Sequence, residues 1–319
     1  MGRGDDLAYK EGEGMSLTYK GQPVDVGVFP SVNSLMDYLR ETKPLFIPND
    51  YEPDVVEHYH YTNSWYGCRS EEKFNDMTKY GTQNTKALEE LKEATTNPVC
   101  INKMRRGRKL WSDCGDDADV SRYFMGDWDC MSYRPLEPSP SKTIKVFVPA
   151  SVLAHVDTEE MIRAGTVLVR KLCALSLEGY SIRLESGRVA QWDRSFDDPE
   201  FPDRVHPYSI LNVLIKGEEE DFDPARIGFA LMEPIFSRGL AFSYASRTRP
   251  EYGGNMATCE QEDAEELTKL ALGDDYIVIP LFELCKAARH KYGQEAEQAI
   301  EDYIDRCLSG TLRGDEDEF

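Results

Sequence analysis

The sequence lacks an apolar run long enough to span a membrane, and its first residues contain no apolar stretch of the kind that a signal peptide needs. We therefore expect neither a membrane span nor a signal peptide. The compartment predicted from this pattern is a reducing cytoplasm.

Closely spaced cysteine pairs are also missing. The chain has 8 cysteines, but none of them form the C-x-x-C pattern of zinc knuckles and redox centres. We expect free thiols, with Cys173 and Cys285 packed as small apolar side chains inside helical patterns. The sequence predicts no cofactor.

Familiar catalytic motifs are absent as well. The sequence contains no G-x-x-x-x-G-K-[ST] phosphate loop, no G-x-G-x-x-G after a strand and no G-x-S-x-G elbow. Ser151, His155 and Asp157 could be drawn as a hydrolase triad. They lie so close in sequence that the histidine is poorly placed between its two partners, and we do not expect an enzyme.

Two groups of residues could be interpreted as metal sites. His58 and His60, with Cys68 nearby, could bind a transition metal, but no second pair completes a tetrahedral set. The acidic run from Asp113 to Asp119 lacks the 12-residue spacing and the terminal glutamate of a calcium-binding EF-hand. For the histidines, the favoured interpretation is packing with the neighbouring aromatic residues. For the aspartates, it is helix capping or ion pairing.

The formal net charge of the chain is −21. A surface of this charge repels phosphate backbones and anionic membranes, so free nucleic acid is a poor default partner and no membrane partner is expected. A basic protein surface is the better electrostatic match. Solubility alone is the simpler explanation of the charge.

The fold class follows from one stretch, Ile144 to Leu184. Alternating apolar residues at its start predict a strand, Asp157 then caps a long amphipathic helix that ends near Gly179, and a second strand follows directly. A strand, a crossover helix and a second strand form a βαβ unit, which requires parallel strands. We therefore predict an α/β fold with a parallel-rich sheet flanked by helices.

Other segments extend this prediction in both directions. Continuous apolar residues at Ser209–Ile215 predict a buried strand, and Asp223-Pro224 is a strong helix start. Further strands are predicted at Leu240–Ala245 and Tyr276–Leu281. Between Val24 and Thr96 the patterns are mostly helical.

The predicted organisation has four parts. Residues 1–20 form a flexible tail, residues 21–141 a smaller, mainly helical N-terminal domain, residues 142–310 the α/β domain, and residues 311–319 an acidic tail. The boundary is placed at Glu137–Ser141, where proline and serine alternate as in a linker.

Two local features are candidate binding sites. Lys103, Arg105, Arg106, Arg108 and Lys109 form the one dense basic cluster of the chain, and they could grip phosphates or meet an acidic protein surface. Tyr59, Tyr61, Trp65 and Tyr66 form an aromatic patch. It could stack on bases or a ligand, although packing helices onto the neighbouring domain is the favoured interpretation.

The order of these signals resembles a family of uncharacterised, mostly phage-encoded proteins with a von Willebrand factor A-like C-terminal domain. The resemblance covers roughly residues 28–309, and the segments that carry it are Trp65–Gly67, Ser70–Glu72, Gly81, Asp119–Tyr123, Gly126, Cys130–Met131, Arg163–Gly165, Glu178–Tyr180, Asp223–Arg226, Phe229–Ala230, Pro234 and Arg238–Phe242. It implies an A-like fold, a phage origin and the cytoplasm of the infected host cell. It implies no established activity.

An A-type domain usually holds a divalent ion after its first strand, in an Asp-x-Ser-x-Ser pattern. The matching segment here is Val148–Val152, in which Ser151 keeps a hydroxyl but no acidic residue fills the leading position. Hard cations need charged oxygen ligands. We therefore expect a degenerate metal site. Its members, if it held an ion, would be Ser151, Asp157 and Thr158.

These observations predict a non-enzymatic protein that acts through protein–protein contact. One alternative is a nucleic-acid-associated accessory protein that uses the basic cluster Lys103–Lys109. Another is the partner of a ring-shaped ATPase of the MoxR kind, a role that A-type domains can serve, and this alternative is an analogy of fold alone.

Overall fold

A computed structural model describes residues 15–42, 71–82, 84–95, 104–106, 110–112, 114–115, 117–133, 136–138, 142–152, 156–192, 207–248, 256–259 and 261–312. The strands are β1 Met15–Tyr19, β2 Gln22–Phe29, β3 Met104–Arg106, β4 Leu110–Ser112, β5 Asp117–Ala118, β6 Met131–Tyr133, β7 Leu136–Pro138, β8 Thr143–Pro149, β9 Ser181–Trp192, β10 Tyr208–Lys216, β11 Met256–Thr258 and β12 Tyr276–Val278. The helices are α1 Val32–Thr42, α2 Glu71–Tyr80, α3 Thr85–Thr95, α4 Val120–Phe124, α5 Thr158–Leu177, α6 Pro224–Met232, a π-helix at Ile235–Leu240, α7 Ala241–Thr248, α8 Gln261–Leu272, α9 Leu281–Ala288 and α10 Gly293–Leu312. Among these helices, none is both long and apolar enough to cross a membrane.

The main sheet has the strand order β1-β2-β10-β9-β8-β12, with β11 added to β9. Strands β8 and β9 are parallel, as the βαβ prediction requires, and β12 runs parallel to β8. However, β9 and β10 are antiparallel, as are β1 and β2 and the β11–β9 pair. The α/β class is therefore confirmed, while the expected parallel-rich sheet is in fact mixed.

Helix α5 is the crossover of the βαβ unit, and local chemistry defines both of its ends. Asp157 caps its first turn, and the side chains of Asp157 and Glu160 form a reciprocal capping box. At the other end, Gly179 has a φ of 98°, a left-handed conformation that glycine adopts without a steric penalty. Twelve residues of the helix are buried, which explains why a helix of this length packs firmly across β8 and β9.

Helices cover both faces of the sheet. One face, which we call the α5 face, packs against α1, α5, α6, α7 and the helices that follow β12. The other, which we call the α8 face, is covered by α8 through Ala264 and Leu267. Because both faces are apolar, the central strands are nearly continuous apolar runs, as predicted for β10.

The N-terminal part differs from its prediction. Residues 15–29 form strands rather than a tail and a helix, and β2 pairs with β10 in parallel. Side chains from α1, α2 and α3 belong to the same core cluster as those of α5 and α6. Within the described residues, therefore, no separate core marks the boundary that was predicted at residue 141.

Helices α1 to α3 do follow their apolar patterns. Leu35, Leu39 and Leu91 are fully buried, and α2 ends at Gly81, whose N–H donates to the carbonyl of Met77. Ser31 precedes α1, and the backbone N–H groups of Ser31 and Ser34 each donate to the other residue's hydroxyl, at 3.1 Å.

Four further predictions need correction. Leu240–Ala245 is helical rather than a strand, and β12 ends at Val278 because α9 begins at Leu281. The expected linker contains β7, which pairs with β3. Of the predicted acidic tail, residues 311 and 312 continue α10, and residues 313–319 lie outside the described residues.

Candidate functional site

The predicted metal position lies after the carboxyl end of β8. Ser151 is buried there, and among the described residues its Oγ has no hydrogen-bond partner. The carboxylate of Asp157 accepts from the N–H of Glu160 at 2.7 Å, and the carboxylate of Glu160 accepts from the N–H of Asp157 at 3.1 Å. Thr158 is the first residue of α5.

This donor set does not fit a divalent ion. The one carboxylate among the three predicted ligands already serves the helix cap, whereas Mg²⁺ and Ca²⁺ need several oxygen ligands with at least one free negative charge. Among the described residues, no three or more His, Cys, Asp or Glu side chains are grouped so that they could hold a metal. The degenerate metal site stays a prediction.

Of the two binding clusters predicted from sequence, the structure describes only Arg105 and Arg106. Arg105 and Arg106 lie in β3, where Arg105 is in register with Glu137 of β7. Lys103, Arg108 and Lys109 are outside the described residues, as is the whole aromatic patch of Tyr59, Tyr61, Trp65 and Tyr66.

A different surface stands out, which we call the aromatic lobe and define as residues 110–133. It contains the small sheet β4-β6-β5 and the short helix α4. Eight of the twelve large apolar side chains that are exposed in the described residues belong to it: Leu110, Trp111, Val120, Tyr123, Phe124, Met125, Trp128 and Tyr133. Helix α4 itself has no buried residue.

The exposure in the aromatic lobe is large. Tyr123 is 67% exposed, Phe124 81%, Met125 77% and Trp128 87%. Isolated exposed apolar residues are normal on protein surfaces, but contiguous groups of them usually mark an interaction site. The rings of Tyr123 and Phe124 meet edge to face with their centroids 6.0 Å apart, and Met125 and Trp128 follow within four positions of Phe124 in the chain.

Defined contacts hold the aromatic lobe in shape. The guanidinium of Arg122 lies 4.3 Å from the ring centroid of Trp111, and its Nε donates to Asp127 at 2.7 Å. This hydrogen bond and charge hold the pKa of the Asp127 carboxyl below its usual range. Asp119 caps α4, and its own N–H donates to the carbonyl of Cys130 at 2.8 Å. The exposed aromatics are therefore presented by a folded scaffold.

A polar groove of about 520 Å³ lies between α3, α5 and α10. Several of its polar side chains already have partners: Thr166 donates to Glu90 at 3.1 Å, and Arg170 lies 2.9 Å from Glu297. Small-molecule sites are mostly apolar with a few convergent polar groups. Because this groove is dominated by satisfied polar side chains, it is not the leading candidate.

Comparison with known proteins places the chain in a family. A family model described as "Domain of unknown function (DUF7192)" matches residues 18–303. The chain belongs to this family. Neither a curated protein nor a solved structure matches the chain.

The DUF7192 match shows how much of the fold the family unit covers. It runs from β1 to α10 and includes the aromatic lobe, so the strand pair, the lobe and the main sheet all lie within one DUF7192 unit. The expectation of an uncharacterised family is confirmed.

Proposed function

We propose that this DUF7192 protein acts without catalysis, by binding a protein partner through its aromatic lobe. The observation that carries the proposal is the concentration of exposed aromatic and thioether side chains on a small scaffold held by its own ion pair and cap. Tyrosine, tryptophan, phenylalanine and methionine are the residue types enriched in protein interfaces.

A complex with a partner that covers the exposed side chains of the aromatic lobe would be stabilised by removing them from water. Apolar area removed from water contributes roughly 25 cal/mol per Å², and an aromatic side chain buries about 150–250 Å². Three or four such side chains could anchor an interface, because a few aromatic residues commonly carry most of the binding energy.

Charge indicates what kind of partner fits. The lobe contains six aspartates and one arginine, and that arginine is paired with Asp127. The rest of the chain is also strongly acidic. We therefore propose a partner with apolar pockets surrounded by lysine and arginine, whose association is accelerated at low salt. Two copies of this lobe would repel each other.

The resemblance to phage proteins with an A-like domain adds a setting. On this proposal the protein is phage-encoded and works in the cytoplasm of the infected host. The resemblance implies an ion position after β8, and Asp157, the one acidic residue predicted there, caps α5 instead, which supports a binding rather than a catalytic task.

The proposal can be tested by affinity purification from cells that contain the natural partner. A triple variant, Tyr123→Ser with Phe124→Ser and Trp128→Ser, should lose a specific basic partner that the unaltered protein retains. Tyr292→Ser is the matched control, since Tyr292 is 83% exposed but lies outside the lobe. Circular dichroism should show that both variants keep the fold.

Recovery of the same proteins by the triple variant and the control would contradict the proposal. If nucleic acid rather than protein is retained, and Arg105→Ala with Arg106→Ala releases it, the basic cluster would be the binding site instead. Loss of binding with rising salt should accompany a genuine basic partner.

A further inference from the structure

Strand β9 has a gap along one of its edges. Strand β10 occupies the other edge from Leu184 to Gln191. On the gapped edge, β8 pairs with β9 only as far as Gly187, and β11 pairs from Ala190 onward. Arg188 therefore lies in the interval where neither strand is paired with β9.

The segments that follow β8 and β11 leave this gap toward opposite faces of the sheet. Strand β8 leads into α5 on the α5 face, whereas β11 leads into α8 on the α8 face. Neighbouring strand ends whose connections depart to opposite faces open a crevice, and in open α/β sheets this is the usual position of a ligand.

Arg188 carries a buried charge at this gap. Its side chain is only 9% exposed, and its guanidinium lies 5.5 Å from the ring centroid of Phe242. Within the described part of the chain, its Nε has no hydrogen-bond partner. Burial lowers the pKa of Arg188 to about 10, so the side chain is still cationic at neutral pH. None of the described carboxylates forms an ion pair with it.

Among the described residues, Cys259 is the titratable group that acts on the charge of Arg188, and its thiol does not neutralise that charge. Cys259 follows β11 at the gap, and burial raises the pKa of its thiol to about 12, so it is uncharged at neutral pH. An uncompensated buried charge costs several kcal/mol in general, and proteins nearly always pair such groups. We therefore expect the negative charge that balances Arg188 to come from a bound ligand.

A second unsatisfied group, the hydroxyl of Ser151, belongs to the backbone segment that follows β8 at the gap. The N–H of Ala150 donates to the carbonyl of Gly187 at 2.9 Å, which places Ala150 next to Arg188 and Ser151 directly after it. Among the residues that the structure describes, the buried Oγ of Ser151 has no partner. A hydroxyl donor and a guanidinium are the groups that recognise phosphate or carboxylate oxygens.

A second arginine, Arg238, lies in the π-helix that runs directly into α7, the helix that contains Phe242. Arg238, in the π-helix, is four residues before Phe242, and its Nη2 donates to the carbonyl of Val156 at 2.7 Å. π-Helical segments occur frequently at functional sites.

We propose that this crevice binds an oxyanion, the phosphate or carboxylate group of a ligand, with Arg188 as its charge partner and the Ser151 hydroxyl as a hydrogen-bond donor. The site is separate from the aromatic lobe. It also explains why a divalent cation is disfavoured at the end of β8, since a buried guanidinium there repels positive charge.

The test is thermal unfolding of the whole chain with inorganic phosphate, with acetate, and with chloride at matched ionic strength. We expect the better-fitting oxyanion at about tenfold its Kd to raise Tm by roughly 2–4 °C over chloride. Arg188→Met should abolish this shift, and without the anion it should melt no lower than the unaltered protein, because an apolar residue replaces an uncompensated charge.

Two further variants complete the test. Ser151→Ala should reduce the shift without lowering the melting temperature in chloride, and it keeps the question decidable if Arg188→Met fails to fold. Arg289→Gln, at an exposed arginine, should retain the full shift. The proposal is overturned if neither phosphate nor acetate stabilises the protein beyond chloride, or if Ser151→Ala and Arg289→Gln respond alike.

Discussion

Substitutions of Asp157 distinguish two roles for its carboxylate, that of a helix cap and that of a metal ligand. In the structure its carboxylate accepts from the N–H of Glu160 at 2.7 Å, and Glu160 returns a bond to the N–H of Asp157 at 3.1 Å. Asp157→Ala removes the first bond and the negative charge at the helix N-terminus but leaves the second, backbone-directed bond possible. Asp157→Asn keeps a capping oxygen and removes only the charge.

The expected size of each effect follows from these contacts. Loss of an N-cap costs about 0.5–2 kcal/mol, and the charge near the helix dipole contributes roughly 0.3–1 kcal/mol. We therefore expect Asp157→Ala to lower the free energy of unfolding by about 1–2 kcal/mol. Asp157→Asn should lower it by less than about 1 kcal/mol, since asparagine is as good an N-cap as aspartate.

Urea unfolding followed by circular dichroism, with and without Mg²⁺ or Ca²⁺, measures both variants. On the capping account, neither ion changes the transition of any of the three proteins. A transition that moves to higher urea with the ion in the unaltered protein, and does so no longer in Asp157→Asn, would refute this reasoning and show that Asp157 binds metal.

Three further outcomes follow from the structure. Gly187→Ala should destabilise the protein by roughly 3 kcal/mol or more in urea unfolding, because a Cβ would overlap the carbonyl oxygen of Leu211 in the neighbouring strand. The ion pair that lowers the pKa of Asp127 stabilises the aromatic lobe fully above about pH 4, the ordinary aspartate range, and this contribution is lost as the pH falls through the lower folded value. Tryptophan fluorescence should therefore change at acid pH, and Asp127→Asn should already show the altered signal at neutral pH. Burial raises the pKa of Cys285 to about 12, so at pH 8 a thiol reagent should modify it at least about a hundredfold more slowly in the folded than in the unfolded protein, as peptide mass mapping can measure.

Local sequence chemistry was sufficient for the central βαβ unit. The aspartate cap, the amphipathic repeat and the terminal glycine define α5 without tertiary information, and the continuous apolar run defines β10. Each of these signals agrees with the packing that the fold then imposes.

Other elements depended on burial that sequence patterns do not show. Leu240, Phe242 and Tyr244 alternate with small residues, which is the pattern of a strand, yet the segment is helical. It is buried on nearly all sides, so its apolar residues show no helical period. By contrast, Val24, Val26 and Val28 do alternate as in a strand, and that signal was available for β2.

The aromatic lobe could not be predicted either, and the reason is again that burial is not written in the sequence pattern. Tyr123, Phe124 and Trp128 are residues that normally favour the core, and no pattern in the sequence distinguishes exposed aromatics from buried ones. Arg188 was similarly hidden, because its burial follows from where β8 and β11 end along β9.

Site-specific photo-crosslinking tests the proposed docking surface most directly. A photoreactive phenylalanine analogue would replace Trp128 in one protein and the exposed Tyr292 in another, and both would be irradiated in cells that contain the partner. We expect one prominent adduct with a basic protein from position 128 and none with that protein from position 292. The absence of any adduct from position 128, or identical adducts from both positions, would contradict the assignment of the aromatic lobe as the binding surface.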